Sequence, residues 1–355
     1  MATNCTSFSP SRSKLRGKNS TTMAKQIPKK SARPLAGRVA LVAGATRGAG
    51  RGIARALGEA GATVYCTGRS IKGNPSPYQR PETINETAAM IEAAGGTAIP
   101  VRVDHSVESE VKALFRRIAR AHHRIDVVVN SVAGEDPLMR QYGFLWQADL
   151  KNADAIFRQA LTSHIITAKH AAVAMMPAKR GLIVEVTEND VLGGGGNPMS
   201  QVVKGALKML ALYWAAELKP HGIATIAVTP GFLRSESMLQ HFGVTENNWR
   251  DGGKKDRNFL QSESPLFVGR AVAALAADSQ AMNRTGMLFS SWELARDYGF
   301  TDYDGRRPDW GSHAIDFSMF PPSFMDYFRT GADLQINWLG TLETRAKKFR
   351  KKIPS

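Results

Sequence analysis

Nine residues, Gly44 to Gly52, constrain the fold of this chain more than any other stretch. They read Gly-Ala-Thr-Arg-Gly-Ala-Gly-Arg-Gly and follow Val39–Val42, a short apolar run typical of a buried strand. Residues from Arg51 to Ala60 carry apolar side chains at helical spacing. Glycines between a strand and a helix let another group come close to the main chain. The stretch therefore predicts a tight turn at the start of a strand–helix–strand unit.

The alternation of strands and helices extends over about 190 residues. Apolar runs predict further strands at 63–66, 98–103, 126–130, 182–186 and 224–228. Helical spacing predicts helices at 82–94, 108–121, 153–176 and 200–218. Because parallel strands need crossover connections, this order indicates an α/β fold with a doubly wound parallel sheet of six strands. We expect one Rossmann-type domain, residues 36–278, followed by a C-terminal extension.

The positive charge of the chain is concentrated at its two ends. The net charge of the chain is +16. Residues 1–38 hold nine Lys or Arg and no acidic residue, and residues 341–355 have a net charge of +5. The body between them is close to neutral, at +2. We interpret residues 1–35 and 341–355 as basic, disordered tails and residues 279–340 as a cap, and we expect no nucleic-acid partner.

Cysteine content and hydropathy limit the compartment. The chain has two cysteines and no run of eighteen apolar residues, so we expect neither a disulfide framework nor a membrane span. Cys66 lies in an apolar run and is predicted to be a reduced, buried thiol. These features favour a cytoplasmic protein. The Ser-, Thr-, Lys- and Arg-rich N-terminal tail shares its composition with organelle transit peptides, so import through that tail stays an open alternative.

The glycine turn has the chemistry of a phosphate-binding loop. Free backbone N–H groups and the helix dipole at the start of a helix attract a diphosphate, and glycines let it approach. The strand–turn–helix context is the one that this mechanism requires, so the turn predicts a dinucleotide-binding site. The residues expected to contact the dinucleotide here are Gly44, Thr46, Arg47, Gly48, Ala49 and Gly50.

The end of the second strand bears on which dinucleotide binds. It reads Thr67-Gly68-Arg69. Proteins that prefer NAD(H) carry an acidic residue there, which binds the ribose 2′-hydroxyl. Glycine stands at that place in this chain, and Arg69 together with Arg47 could clamp a 2′-phosphate. The sequence therefore favours NADP(H) over NAD(H).

Taken together, these residues resemble the short-chain dehydrogenase/reductase superfamily from about Leu35 to Asp304. The segment from Leu294 to Gly305 is similar to the dehydrogenase/reductase member 1-like branch. The resemblance implies an NADP(H)-dependent oxidoreductase acting on a small carbonyl or alcohol, assembled as a homodimer or homotetramer. It adds further cofactor-binding positions, namely Asp104 with His105 after the third strand, Asn130 at the fourth strand, and Pro230, Gly231 and Ser235 in the nicotinamide-side loop.

The catalytic motif of the family is only partly present. Family members use a Tyr-x-x-x-Lys pair, and Lys204 fits the lysine, which also binds the nicotinamide ribose. Ser200 stands where the tyrosine is expected, and Thr187 takes the place of the catalytic serine. An aliphatic hydroxyl is a much weaker acid than a phenol, and serine is shorter by a ring. Candidate replacement proton donors are Tyr142, Tyr298, Tyr303 and Glu188.

No histidine pattern suggests a metal site. His164, His170 and the pair His122–His123 have no partner at metal-ligand spacing, so we interpret them as helix or surface residues and predict no bound metal.

Two functions stay open at this point. In the first, the chain is an NADP(H)-dependent oxidoreductase in which Lys204 holds the ribose, Thr187 orients the substrate, and water or another acid replaces the tyrosine. In the second, it binds NADP(H) without efficient hydride chemistry, as a pseudoenzyme, partner subunit or cofactor sensor.

Overall fold

The structure is a computed structural model that describes residues 33–75, 80–133, 138, 150–188 and 198–313. All of these residues belong to one compact unit, residues 32–355.

A parallel sheet of seven strands forms the centre of this unit. The strands are β1 (Val39–Ala43), β2 (Thr63–Gly68), β3 (Thr97–Arg102), β4 (Val127–Asn130), β5 (Gly181–Val186), β6 (Ile223–Thr229) and β7 (Leu288–Ser290). Their order is β3-β2-β1-β4-β5-β6-β7. The strands β2 and β3 therefore lie on one side of β1, and β4 to β7 lie on the other, so the strand order reverses between β1 and β4. A crevice at the carboxyl ends of the strands is expected at this reversal. The predicted α/β, doubly wound sheet is confirmed.

Ten α-helices connect and cover the strands within the described residues. They are α1 (Gly48–Glu59), α2 (Ile84–Ala93), α3 (Glu108–His122), α4 (Leu150–Phe157), α5 (Ser163–Met175), α6 (Pro198–Leu218), α7 (Glu236–Phe242), α8 (Pro265–Ala277), α9 (Ser291–Tyr298) and α10 (Trp310–His313). Local sequence fixes several ends. Thr83, for example, forms a capping box with Glu86 at the start of α2.

Two apolar cores lie on opposite faces of the sheet. Val42 points to the core formed with α1, α2 and α8, whereas its neighbour Leu41 points to the core formed with α3 and α5. This alternation follows from the two-residue period of a strand. Cys66 lies in the first core as a buried thiol, and burial raises its pKa to about 12, as expected for an unreactive cysteine.

The sheet has one strand more than the six predicted. Leu288–Ser290 pairs with β6, with Leu288 opposite Ala227, and lies in the segment interpreted as a cap. Three residues are too few to show a strand period in a sequence, which explains why the pattern missed it.

The helix predicted at 153–176 is divided in the structure. A π-helical turn, Arg158–Thr162, separates α4 from α5. A π turn accommodates one extra residue in a helix and often occurs at functional sites. In this chain it contains Gln159, which lines the pocket described below.

Candidate functional site

The glycine turn between β1 and α1 is folded tightly against its surroundings. Gly44 has a φ of +84°, in the left-handed region that favours glycine. A Cβ added to Gly44 would lie 2.5 Å from the carbonyl oxygen of Ser131, and one added to Gly50 would overlap the carbonyl oxygen of Gly44. Only glycine therefore fits at these two positions.

The first turn of α1 presents backbone amides without partners. Arg47, the residue before α1, makes no side-chain capping bond. Within the described ranges the amides of Ala49 and Gly50 donate to no acceptor, whereas the amide of Gly48 donates to Glu236 Oε2 at 2.7 Å. Unpaired N–H groups at a helix N-terminus are suited to phosphate oxygens. The residues present therefore fit a dinucleotide.

Glu236 is a contact of this turn that the sequence reasoning missed. Its Oε1 lies 3.2 Å from Nη1 of Arg51, a buried residue of α1 whose Nη2 also lies 3.0 Å from Glu86 Oε2. Glu236 begins α7, so these bonds attach α7 to the glycine turn. Gly48 and Glu236 are 188 residues apart, and no local pattern could have indicated the contact.

A pocket opens beside the turn, at the carboxyl ends of the central strands. Six of the sequence-predicted site residues line it, namely Gly44, Thr46, Arg47, Arg69, Asp104 and His105. They are joined by Gly68, Ser70, Val103, Ser106, Ser131, Val132, Ala133 and Gln159. The structure thus brings the two arginines proposed for a 2′-phosphate into one pocket.

Arg69 is held in this pocket by two neighbours. Its Nη2 donates to Gln159 Oε1 at 3.2 Å, and its Nη1 lies 3.9 Å from Asp104 Oδ2. Burial alone would raise the pKa of Asp104, but hydrogen bonds from Ser106 and the charge of Arg69 hold it below its usual value. Asp104 is therefore a carboxylate that orients the guanidinium.

Gly68 occupies the position where NAD(H)-binding proteins carry an acidic residue, and the space around it is too small for a side chain. A Cβ at Gly68 would lie 2.7 Å from Thr46 Oγ1, a side chain of the glycine turn. A larger residue at position 68 would have to displace that hydroxyl, so the turn itself favours glycine here.

His105 lies at the pocket wall with its imidazole ring buried. Nε2 is 2.8 Å from Thr67 Oγ1, and Nδ1 is 2.8 Å from Thr167 Oγ1. Burial, with a contribution from the nearby His164, lowers the pKa of His105 to about 3, so the ring is neutral. Both ring nitrogens are thus engaged within the protein, and the side chain offers neither to a ligand in this arrangement.

Asn130 also directs its side chain beneath the pocket. Its Nδ2 donates to Glu185 Oε1 at 2.6 Å and to the carbonyl oxygen of His164 at 3.3 Å. Glu185 in turn lies 2.6 Å from His164 Nδ1. His164 lies on the helix α5, one of the two placements predicted from the sequence, and its ring is buried and paired with a carboxyl group. Sequence reasoning missed Glu185 because it lies within an otherwise apolar strand.

The predicted catalytic residues lie together where β5 ends against α6. Thr187 is buried, and its hydroxyl donates to the carbonyl oxygen of Lys204 at 2.8 Å. The Thr187 proton is therefore directed at α6 instead of a substrate. Lys204 is 7% exposed, and its Nζ lies 3.8 Å from Oε1 of Glu188, which is exposed. Ser200 is 1% exposed, and its Oγ has no hydrogen-bond partner among the described residues.

The loop after β6 carries the other predicted positions. Ser235 caps α7 by accepting from the amide of Met238. After Pro230, the amide of Gly231 donates to Glu263 Oε2 at 2.9 Å. Glu263 is fully buried, and this burial raises its pKa to about 8. A carboxyl group that sequence reasoning missed therefore supports this loop.

The tyrosines considered as replacement donors do not gather at Lys204. Tyr298 donates to Asp278 Oδ2 at 2.5 Å, and Tyr303 follows Asp302 in the C-terminal region. Tyr142 lies outside the described residues. Of the named candidates that the structure describes, Glu188 is the one recorded beside Lys204.

The described residues contain no candidate metal site and no candidate membrane span. No group of three or more His, Cys, Asp or Glu side chains could hold a metal ion there. No helix in that part of the chain is long and apolar enough to cross a membrane.

A doubly wound parallel sheet with a glycine turn and a pocket at the reversal of strand order defines a dinucleotide-binding protein of the Rossmann type. The profile of the short chain dehydrogenase family matches residues 38–243. The chain belongs to this family, whose members are oxidoreductases that use a nicotinamide cofactor.

Named relatives agree with this assignment. The chain is 37% identical over 317 residues to "Dehydrogenase/reductase SDR family member 1" of Mus musculus, covering 88% of this chain and 93% of the relative. The Homo sapiens protein of the same name is 35% identical over 280 residues, covering 78% and 86%. A hydroxysteroid dehydrogenase structure from Escherichia coli superposes with a TM-score of 0.58 at 21% identity, covering 72% of this chain and 95% of that one, and supports the fold alone. These comparisons give no support to a binding protein without hydride chemistry.

Proposed function

We propose that this chain is an NADP(H)-dependent oxidoreductase that reduces a small carbonyl compound or oxidises the corresponding alcohol, with Lys204 as the usual lysine and Glu188 in the role of the usual tyrosine. The observation that carries the proposal is the placement of a buried lysine beside a carboxyl group at the end of β5, 3.8 Å apart. When bound, the nicotinamide supplies or accepts the hydride.

Preference for NADP(H) is supported by the charge of the pocket. Arg47 and Arg69 line it, and Gly68 leaves no acidic side chain where NAD(H)-binding proteins place one. Arginine binds a phosphate group through charge-assisted hydrogen bonds, while an acidic residue would repel it. Asp104 and Gln159 fix the Arg69 guanidinium, which reduces the entropy lost on binding.

Each residue at the other end of the site has a specific role in the proposal. Lys204 binds the nicotinamide ribose and, as an ammonium group, stabilises the negative charge that develops on the substrate oxygen. Glu188, whose side chain is 54% exposed, takes up a proton from solvent and passes it to that oxygen. Thr187, whose hydroxyl is bonded to the Lys204 carbonyl, fixes α6 against the end of β5.

Self-association and location are further expectations. By resemblance to its family, the chain is expected to form a homodimer or homotetramer through the helices α4–α5 and α6, and to act in the cytoplasm. Size-exclusion chromatography with light scattering tests the first, and fluorescence microscopy of the tagged full chain tests the second.

Oxidation of NADPH with a panel of aldehydes, ketones and quinones tests the proposed function. We expect turnover that falls about 10²- to 10³-fold in Glu188→Gln and at least as far in Lys204→Ala, because a general acid contributes about this much. The matched control is the exposed pair Glu108 and Lys169, 2.8 Å apart on α3 and α5, where Glu108→Gln should leave turnover unchanged.

A second variant separates loss of the proton donor from loss of the fold. Ser200→Tyr returns a phenol to the position one helical turn before Lys204, and we expect it to restore turnover in the Glu188→Gln background. Tight NADPH binding with no turnover on any substrate would contradict the proposal. So would full activity of Glu188→Gln.

A further inference from the structure

The interior beneath the pocket holds a buried histidine–glutamate pair that the proposed reaction does not use. His164 of α5 and Glu185 of β5 are 1% and 0% exposed, and His164 Nδ1 lies 2.6 Å from Glu185 Oε2. Removing two such groups from water costs free energy, and an apolar pair of similar size is often as stable. A buried pair of this kind is therefore more readily explained by what it positions than by the stability it provides.

Both partners are fixed by further hydrogen bonds. Glu185 Oε1 accepts from Asn130 Nδ2 at 2.6 Å, so the carboxyl group is held from two sides. On the far side of the ring, His164 Nε2 donates to the carbonyl oxygen of Val132 at 2.9 Å. The ring therefore bridges a carboxyl group in the middle of the sheet to the backbone that follows β4.

Val132 is part of the pocket wall. The segment Ser131–Ala133 lines the pocket, and the amide of Ser131 donates to the carbonyl oxygen of Ala43 at 2.9 Å. The same backbone lies against the glycine turn, because a Cβ at Gly44 would be 2.5 Å from the Ser131 carbonyl oxygen and 2.9 Å from the Val132 amide nitrogen. A shift of Val132 would therefore move both the wall of the pocket and the support of the turn.

We propose that His164, held by Glu185, is a positioning residue for cofactor binding: it fixes the backbone Ser131–Ala133 against Gly44. This inference rests on the proposed function, since it concerns the affinity for NADPH. It assigns His164 no contact with the cofactor and no part in proton transfer to the substrate.

Two amide replacements of His164 separate its two hydrogen bonds. An asparagine amide lies near the place of Nδ1 and can still donate to Glu185, but it does not reach Val132. A glutamine amide lies near the place of Nε2 and can still donate to the Val132 carbonyl. NADPH affinity is measured by the fluorescence of the bound nucleotide, and stability is measured by thermal unfolding without nucleotide.

We expect His164→Asn to weaken NADPH binding about tenfold, as for the loss of a buried hydrogen bond, and His164→Gln to weaken it less than threefold. Glu185→Gln should bind like the wild type, because its amide can donate to Nδ1 while its carbonyl oxygen accepts from Asn130. The matched control is His170→Asn on the same helix, whose ring contacts Glu108 and not the pocket backbone.

The outcomes distinguish the two proposals. If wild-type protein does not bind NADPH, the proposed function fails and this inference fails with it. If wild-type protein binds NADPH but His164→Asn and His164→Gln bind equally well, only the positioning role is overturned. If His164→Asn does not fold, a double variant is used, His164→Phe/Glu185→Gln, which also removes the buried carboxyl group. Its NADPH affinity is compared with that of Glu185→Gln alone. Equal NADPH affinity of those two proteins would overturn the inference as well.

Discussion

The two ends of the candidate site differ in what forms them: backbone groups at one end and side chains at the other. The pocket beside Gly44 is built largely from backbone, with glycines where a Cβ would collide and unpaired amides at the start of α1. The region around Lys204 depends on side chains: the Thr187 hydroxyl is directed at α6, and Ser200 stands where the sequence resemblance predicts a tyrosine.

This difference shows how binding and chemistry separate in one fold. A backbone site is fixed by the course of the chain, so replacing a glycine disturbs the fold and the site together. A side-chain site can be changed one residue at a time while the strand and helix that carry it stay in place. The end around Lys204 is therefore where we expect a reaction to change without a change of architecture.

The largest effect is expected at the backbone end. Gly50→Ala places a Cβ against the Gly44 carbonyl oxygen, so we expect NADPH affinity to fall more than about 100-fold, because the turn must open to relieve the overlap. Fluorescence titration measures this loss. Gly205→Ala is the control, since a Cβ at Gly205 on α6 meets no atom within 4 Å. Wild-type affinity in Gly50→Ala would show that the turn does not bind the dinucleotide.

The next effect is a dependence of stability on pH at the nicotinamide-side loop. The pKa of Glu263, raised by burial to about 8, lies above its ordinary 4.5. Between these values the unfolded chain has lost the proton and the folded protein keeps it, so the free energy of unfolding should fall by up to a few kcal/mol as pH rises from about 5 to 8. Urea unfolding across this range measures the change.

Glu263→Gln should flatten this part of the pH profile, because glutamine has no ionisable proton and can still accept from the Gly231 amide. Glu92→Gln, at an exposed position on α2, should retain the wild-type slope. An unchanged slope in Glu263→Gln would assign the pH dependence to other groups.

A smaller effect is expected from the arginines of the pocket. Arg69→Ala removes one of two cations near the proposed 2′-phosphate, so the ratio of NADPH to NADH affinity should fall about tenfold. Arg55→Ala, on the exposed face of α1 where it pairs with Glu59, should leave the ratio unchanged. If the ratio of NADPH to NADH affinity is unaltered in both variants, residues other than Arg69 determine the preference for NADPH. The contrast between the backbone end and the side-chain end of the site would then be weaker.

Much of the fold could be read from the sequence because its signals are local. The apolar runs of β1 to β6 and the glycine turn depend on neighbouring residues, and the structure confirms the sheet that they predict. The pocket residue Arg69 could be found as well, because it follows a strand whose carboxyl end faces the crevice, and Asp104 was indicated by the resemblance to the family.

What the sequence did not reveal depends on distant contacts. His164 and Glu185 are 21 residues apart on a helix and a strand, and Glu236 reaches the glycine turn over 188 residues. A histidine on a helix or an acidic residue in a strand has the same local pattern whether it is paired or not. Only the packing of the elements decides which buried polar groups meet.

The bond from Glu236 to the Gly48 amide has a consequence for nucleotide binding. A carboxylate already occupies one amide of the helix end to which the diphosphate of a nucleotide would be attracted, and it belongs to α7, which follows the nicotinamide-side loop. A diphosphate that binds this helix end would then have to displace Glu236 from the Gly48 amide. Because charged contacts weaken with added salt, we expect the effect of Glu236 on this competition to diminish as ionic strength rises.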